Sequence, residues 1–204
     1  MTSSAAASPA PRALPDYPGE PVSSDEDLML SFADGDAGAF DRLYARHRGP
    51  LFRYIQRQCG SRPVAEELFQ DVWMSLIGTR ERYQPQSKFT TYLYTLARHR
   101  VIDHARRQNV RAEVDSAATE DQIELAPDPV ADLARSVEAT RQVSRLLALV
   151  ESLPAAQREV ILLRAEGDLS LDEMARVTAS ERETVKSRLR YALDKLRRGM
   201  EGYL

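Results

Sequence analysis

Between residues 23 and 111 the apolar positions recur at intervals of three and four, the period of a helix that buries one face. The first such segment, "SSDEDLMLSFADGD", brings Leu28, Met29 and Phe32 together and puts Ser23 and Glu26 at capping-box spacing. A second helix is expected over about Asp36 to Gln58, with a stripe of Phe40, Leu43, Tyr44, Leu51, Tyr54 and Ile55. Pro50 predicts a kink or a break in it, because proline lacks an N–H and its ring clashes with the preceding turn. After "CGSRP" a third helix, Pro63 to Ile77, carries Val64, Leu68, Val72 and Leu76, with Trp73 or Ile77 on its flank. The polar stretch "GTRERYQPQSK" leads to a fourth, Phe89 to Gln108, with Leu93, Leu96, Ala97, Val101 and Ile102 facing inward.

The pattern then stops and resumes. From Ala112 to Ala139 eight acidic residues stand against one arginine, with two prolines, which is the composition of a solvated spacer. A helix from Val137 to Glu151 presents Val143, Leu146, Leu147 and Val150. "SLPAAQREVILL" starts the next, with Pro154 suited to a first turn and Gly167 as its stop. Ser170 and Glu173 form a capping box for a short helix whose packed face is Met174, Ala175 and Val177. Ser180 and Glu183 repeat that spacing before a final helix striped by Val185, Leu189, Leu193 and Leu196. The expected fold class is all-α: two small helical domains joined by an acidic flexible linker, the C-terminal one a helix-turn-helix. The boundaries are a disordered tail over 1–22, rich in Ala, Pro and Ser, a helical domain over 23–111, a linker over 112–136 and a C-terminal domain over 137–204.

Composition narrows the function. The 204 residues carry a formal net charge of -3, so the chain as a whole does not coat DNA. Its apolar fraction of 43% is enough for real cores. The single cysteine, Cys59, excludes an intrachain disulfide and a cysteine-rich zinc site. No apolar run approaches the roughly 18 residues of a membrane span, and "MTSSAAASPAPRALP" lacks a secretory core. A soluble cytoplasmic protein with no membrane insertion is expected. His47, His99 and His104 make no ligand set, since the last two lie five apart rather than four, and no glycine-rich phosphate loop is present. Neither an enzyme, a metal nor a cofactor is expected.

Local charge is more informative. "SERETVKSRLRYALDKLRR" has seven basic residues against three acidic ones and follows a short helix joined to it by "TASE". That is the helix-turn-helix pattern, in which the second helix enters the major groove. With the Val185 stripe inward, the outer face shows Lys186, Ser187, Arg190 and Tyr191. Arginine can read guanine edges with two bonds, while lysine, serine and the helix N-terminus hold phosphate. A second basic element, "ARHRVIDHARRQNVR", follows "RERYQPQSKFTTYLY", where Tyr83, Phe89, Tyr92 and Tyr94 interleave with cations. Rings beside arginines suit unstacked bases on a single strand. Phe89, Leu93 and Leu96 belong to the core; Tyr92 and the polar stretch before the helix are the candidates for exposure.

Three segments, in order and spacing, resemble the sigma-70 family of bacterial RNA polymerase sigma factors in its two-domain, extracytoplasmic-function branch. "AEELFQDVWMSLI" (65 to 77) resembles the region 2 helix that binds the clamp helices of the largest polymerase subunit. "SKFTTYLYTLARHRVIDHARRQ" (87 to 108) resembles the segment that opens and reads the minus-ten element. "LPAAQREVILLRAEGDLSLDEMARVTASERETVKSRLRYALDKLRR" (153 to 198) resembles region 4, which reads the minus-thirty-five element. The resemblance implies polymerase contacts at Glu67, Gln70, Asp71 and Trp73. It implies minus-ten contacts among Arg82, Tyr83, Lys88, Tyr92, Arg98, His99, Arg100, Arg106 and Arg107, and minus-thirty-five contacts at Arg182, Thr184, Lys186, Ser187, Arg188, Arg190 and Tyr191. The chain departs from the family where Tyr92 replaces a usual tryptophan, and at His99 or Arg100, near which an asparagine is common. The implied partners are core RNA polymerase (largest-subunit clamp helices and beta-subunit flap), promoter DNA both duplex and single-stranded, and an anti-sigma factor. The competing class is a stand-alone helix-turn-helix regulator, which would leave residues 65 to 77 and the aromatic-basic stretch without a use.

Overall fold

The computed structural model describes residues 23–114 and 135–201, and every regular element among them is helical. The tail expected over 1–22 and most of the expected linker lie outside the described residues. In order the helices are α1 (Asp25–Ala33), α2 (Ala37–Cys59), α3 (Arg62–Thr79), α4 (Phe89–Val114), α5 (Arg135–Glu151), α6 (Ala155–Gly167), α7 (Leu171–Thr178) and α8 (Arg182–Met200), with a 3-10 turn over Arg80–Arg82. Helix therefore runs into the expected spacer from both ends, three residues past Arg111 and back to Arg135.

The capping box of α1 is one residue later than expected. Ser24, not Ser23, accepts from Asp27 N at 3.1 Å, and the Asp27 carboxylate accepts from Ser24 N at 3.3 Å. Glu26 is thereby free for another task. Its Oε1 accepts from the backbone N–H of Phe89 at 2.5 Å, so a side chain of α1 satisfies the first turn of α4. Glu26→Ala should lower the unfolding free energy by about 1–2 kcal/mol, a lost cap on a half-buried donor. Chemical denaturation reads this directly, and Glu26→Gln, which keeps an acceptor, should lose less.

Helix α2 continues through Pro50. Leu43 on one side of the proline, and Leu51, Tyr54 and Ile55 on the other, are all buried in one core. That packing outweighs the local penalty of about 3 kcal/mol for proline inside a helix. Beside it an aromatic cluster forms: the Trp73 ring lies 5.7 Å from Phe40 and 5.0 Å from Tyr44, edge to face, with Phe69 and Phe32 around them.

In the C-terminal half, Val160, Ile161, Leu162 and Leu163 are buried in succession. Four consecutive residues point to different faces, so the middle of α6 has neighbours on most sides, while Ala155, Ala156, Arg164 and Ala165 stay exposed. One side meets α5, α7 and α8; the other meets α2 and α4 of the first unit. The two helical units thus pack against one another, with α7 also lying on α4. Helix α6 ends at Gly167 as expected, but the left-handed residue is the next one, Asp168, with φ 47°. What Gly167 supplies is closeness. A Cβ there would stand 3.0 Å from Cε2 of Tyr94 on α4. The inward stripe of α8 also differs from expectation. Ala192 is fully buried and Leu193 is 46% exposed, so the packed positions are Val185, Leu189, Ala192 and Leu196. On α5, Val143 and Leu146 are likewise exposed, while Val150 is buried.

Candidate nucleic-acid interface

Helix α7 begins with the expected box: Ser170 Oγ accepts from Glu173 N at 3.3 Å and Glu173 accepts from Ser170 N at 2.7 Å. Ala179, left-handed at φ 48°, ends it and turns the chain into α8. The second expected box does not form. Glu181 is the residue before α8 and makes no side-chain cap, while Ser180 Oγ accepts from Arg188 Nη1 at 3.1 Å. The first-turn N–H groups of α8 are left without a side-chain acceptor, which suits an incoming phosphate.

The outer face of α8 is as expected from its sequence. Arg182, Thr184, Lys186, Ser187, Arg190 and Tyr191 are exposed, and Arg188 is half-buried. Arg182 pairs with Asp172 at 3.0 Å and Glu183 at 3.4 Å, and Lys186 with Glu183 at 3.2 Å. Such exposed pairs contribute little and exchange readily for phosphate. The Arg190 guanidinium lies 4.9 Å from the centre of the Tyr191 ring.

The first unit divides its basic and aromatic residues differently. Arg82, His99, Arg106 and Arg107 are exposed. Arg100 donates to Ser75 Oγ on α3 at 2.6 Å, and Arg98 and Lys88 are held by Glu159 and Glu173 of the second unit. Tyr83 is not exposed as the polar stretch around it suggested. It is 8% accessible, and burial beside Glu26 pushes its phenol up to about 12. Its ring sits edge-on to Tyr92 at 5.3 Å and to Phe89 at 6.4 Å. The turn over Arg80–Arg82 brings the chain inward there, so Tyr83 backs Tyr92 rather than facing solvent. Tyr92 is half-buried, and its hydroxyl shares a hydrogen bond with Thr79 Oγ1 at 2.7 Å.

A third face lies on α3. Glu67 and Gln70 are exposed and Asp71 is half-buried, but Trp73 is only 4% accessible and belongs to the aromatic cluster. Trp73 cannot sit on the outer surface with the other three. Met74, 66% exposed, takes that place. Positions 67, 70, 71 and 74 follow the i, i+3, i+4, i+7 rule, so the spacing alone could have identified it. Gln70 also rims a shallow groove between α2 and α3 floored by Tyr44, Phe52 and Phe69.

A helix-turn-helix with an exposed basic helix, packed beside a second helical unit that carries its own basic helix, is the arrangement of a two-unit nucleic-acid-binding protein. Residues 43–111 match the family description "Sigma-70 region 2" and residues 149–198 match "Sigma-70, region 4". The ECF RNA polymerase sigma factor RpoE of Cereibacter sphaeroides is 32% identical over 176 residues, 85% of this chain and 93% of the relative. SigK of Mycobacterium tuberculosis, also an ECF RNA polymerase sigma factor, is 28% identical over 178 residues, 86% of this chain and 94% of the relative. The solved sigma factor RpoE of Bartonella quintana, in complex with the anti-sigma factor NepR, shares the fold with a TM-score of 0.67 at 18% identity, over 79% of this chain and 96% of that one. The chain belongs to the extracytoplasmic-function group of the sigma-70 family.

Proposed function

We propose that this sigma factor divides its work among the three faces just described. The face of Glu67, Gln70, Asp71 and Met74 on α3 docks on the clamp helices of the largest subunit of core RNA polymerase, and the second unit meets the beta-subunit flap. The outer face of α8 reads the minus-thirty-five element in duplex DNA. The α4 face, with Tyr92, His99, Arg106 and Arg107 and with Lys88 and Arg98 when these are released, captures unstacked bases at minus ten. The role is binding, not catalysis: base capture repays the few kcal/mol of unstacking and holds the promoter open. Domain boundaries near 111 and 137 follow from the same division. The protein works in the compartment that holds polymerase, and among the described residues no helix is long and apolar enough to cross a membrane.

The observation that carries this reading is the pairing of the region 4 helix-turn-helix with the separate exposed carboxylate-amide face on α3. A stand-alone regulator has no use for the second. An anti-sigma factor is a further partner of the same reading, as the Bartonella quintana RpoE is solved with one.

Transcription from a promoter library by purified core polymerase, with and without the protein, tests the whole. Without a selected promoter class the reading fails. Within that assay Arg190→Ala should cost about 1–3 kcal/mol of discrimination at one base position. Arg188→Ala, losing a phosphate-side contact, should weaken all sequences alike. An Arg190→Ala profile identical to that of the parent would remove its base-reading role.

A further inference from the structure

We propose that Met74 is an oxidation site, and that a sulfoxide formed there weakens docking on core polymerase until it is reduced. The inference rests on the docking role given above to the outer face of α3 and adds regulation to it.

Access to sulfur singles out this residue. The chain has five methionines and one cysteine. Met29 and Met174 are buried in the core, Met200 is half-buried at the end of α8, and Met1 lies outside the described residues. Met74 is 66% exposed, more than any other large hydrophobic residue among those described. Cys59 is the competing sulfur. It is half-buried, and its thiol donates toward the carbonyl oxygens of Ser61 at 3.4 Å and Gln56 at 3.8 Å. Burial pushes that thiol up, so it stays protonated rather than forming the reactive thiolate. The surroundings of Met74 are open by contrast. A helical methionine leans over the preceding turn, here Gln70 and Asp71. One turn further on stands Gly78, exposed and with open space where a Cβ would be, so no side chain at that position screens the thioether.

The oxidant is a two-electron oxygen donor, with hypochlorous acid as the probe. The thioether sulfur loses two electrons and gains the oxygen, and the oxidant is reduced to chloride with release of a proton. Methionine sulfoxide reductases reverse the step, taking two electrons from a dithiol and releasing water. The product changes the face in one particular way. A flexible apolar side chain becomes a polar one with an acceptor oxygen. The neighbouring Glu67 and Asp71 carboxylates only accept, and on this face only the Gln70 amide can donate. Docking then buries the new oxygen without a matched donor, which is unfavourable. The fold itself is indifferent, since the side chain already lies in water.

The test treats the full chain with substoichiometric hypochlorous acid and maps the added oxygen by peptide mass spectrometry. Oxygen should appear on Met74 before Met29 and Met174. Affinity for core polymerase should fall about tenfold in the parent and in Cys59→Ser, with an unchanged circular dichroism spectrum. The two stereospecific sulfoxide reductases with dithiothreitol should restore it. Met74→Leu, compared with its own untreated affinity, should not respond to the oxidant. Reversal by the reductases keeps the test decisive even where Met74→Leu itself binds weakly. Buried methionines oxidised first, a Met74 sulfoxide that binds with full affinity, or a loss the reductases leave in place would overturn the proposal. An equal loss in Met74→Leu would do the same. Failure of the untreated parent to bind core polymerase would instead remove the functional reading, whereas intact binding that ignores the oxidant removes only the switch.

Discussion

Replacing Gln70 and Asp71 together by alanine should weaken binding to core polymerase about ten- to a hundredfold. Both lie on the outer side of α3, one exposed and one half-exposed, while the same helix buries Leu68 and Val72 on its inner side. Truncation therefore removes partner contacts without opening a cavity, and folding stability should stay within about 0.5 kcal/mol of the parent. Two lost polar contacts at the rim of an interface account for about 1.5–3 kcal/mol. Met74 adds the apolar anchor that such a rim surrounds, so Met74→Glu alone should cost about 2 kcal/mol, roughly thirtyfold. A fluorescence titration of labelled polymerase measures all three substitutions. Unchanged affinity with a normal circular dichroism spectrum would exclude this face as the docking site.

The second large effect concerns promoter opening. Tyr92→Ala should depress activity on a duplex promoter about five- to a hundredfold, since base–aromatic stacking contributes about 1–3 kcal/mol. Half-burial complicates the expectation. The ring packs against the core and Tyr83, and its hydroxyl bonds to Thr79, so the same change also lowers stability. Tyr92→Phe separates the two roles. It loses only the hydroxyl bond, about 1 kcal/mol of stability, and keeps the ring, so opening should stay near normal. A pre-melted bubble template should restore much of the activity of Tyr92→Ala but do nothing for a chain that is merely unfolding. Permanganate reactivity of the minus-ten thymines reports the strand state on both templates. Full reactivity on duplex with Tyr92→Ala would end the opening role.

Periodicity was enough for the helices themselves, because it depends on residues within one or two turns, although only one of the three expected capping boxes forms where expected. Ser170 with Glu173, the basic outer face of α8 and the order of the three family segments could all be read along the chain. Tertiary structure alone decided what lay between segments. A helical period gives the angle between side chains on one helix, but not where its neighbours end. Hence Ala192 rather than Leu193 meets the core, and Trp73 and Tyr83 turn inward among rings brought from α2 and α4. Glu26 sits one residue from a capping box yet caps α4, 63 positions away, because only the packed bundle puts Phe89 N within its reach. Helix α6 does stop at Gly167, but Asp168 makes the left-handed turn that glycine favours. The structure uses the missing side chain of Gly167 instead to admit the Tyr94 ring. The partners of Arg53, Arg57 and Arg98 follow the same logic. Charges on well-separated helices carry no sequence signal of pairing, and only the docking of α6 on α2 and α4 brings Glu159 and Glu166 to them.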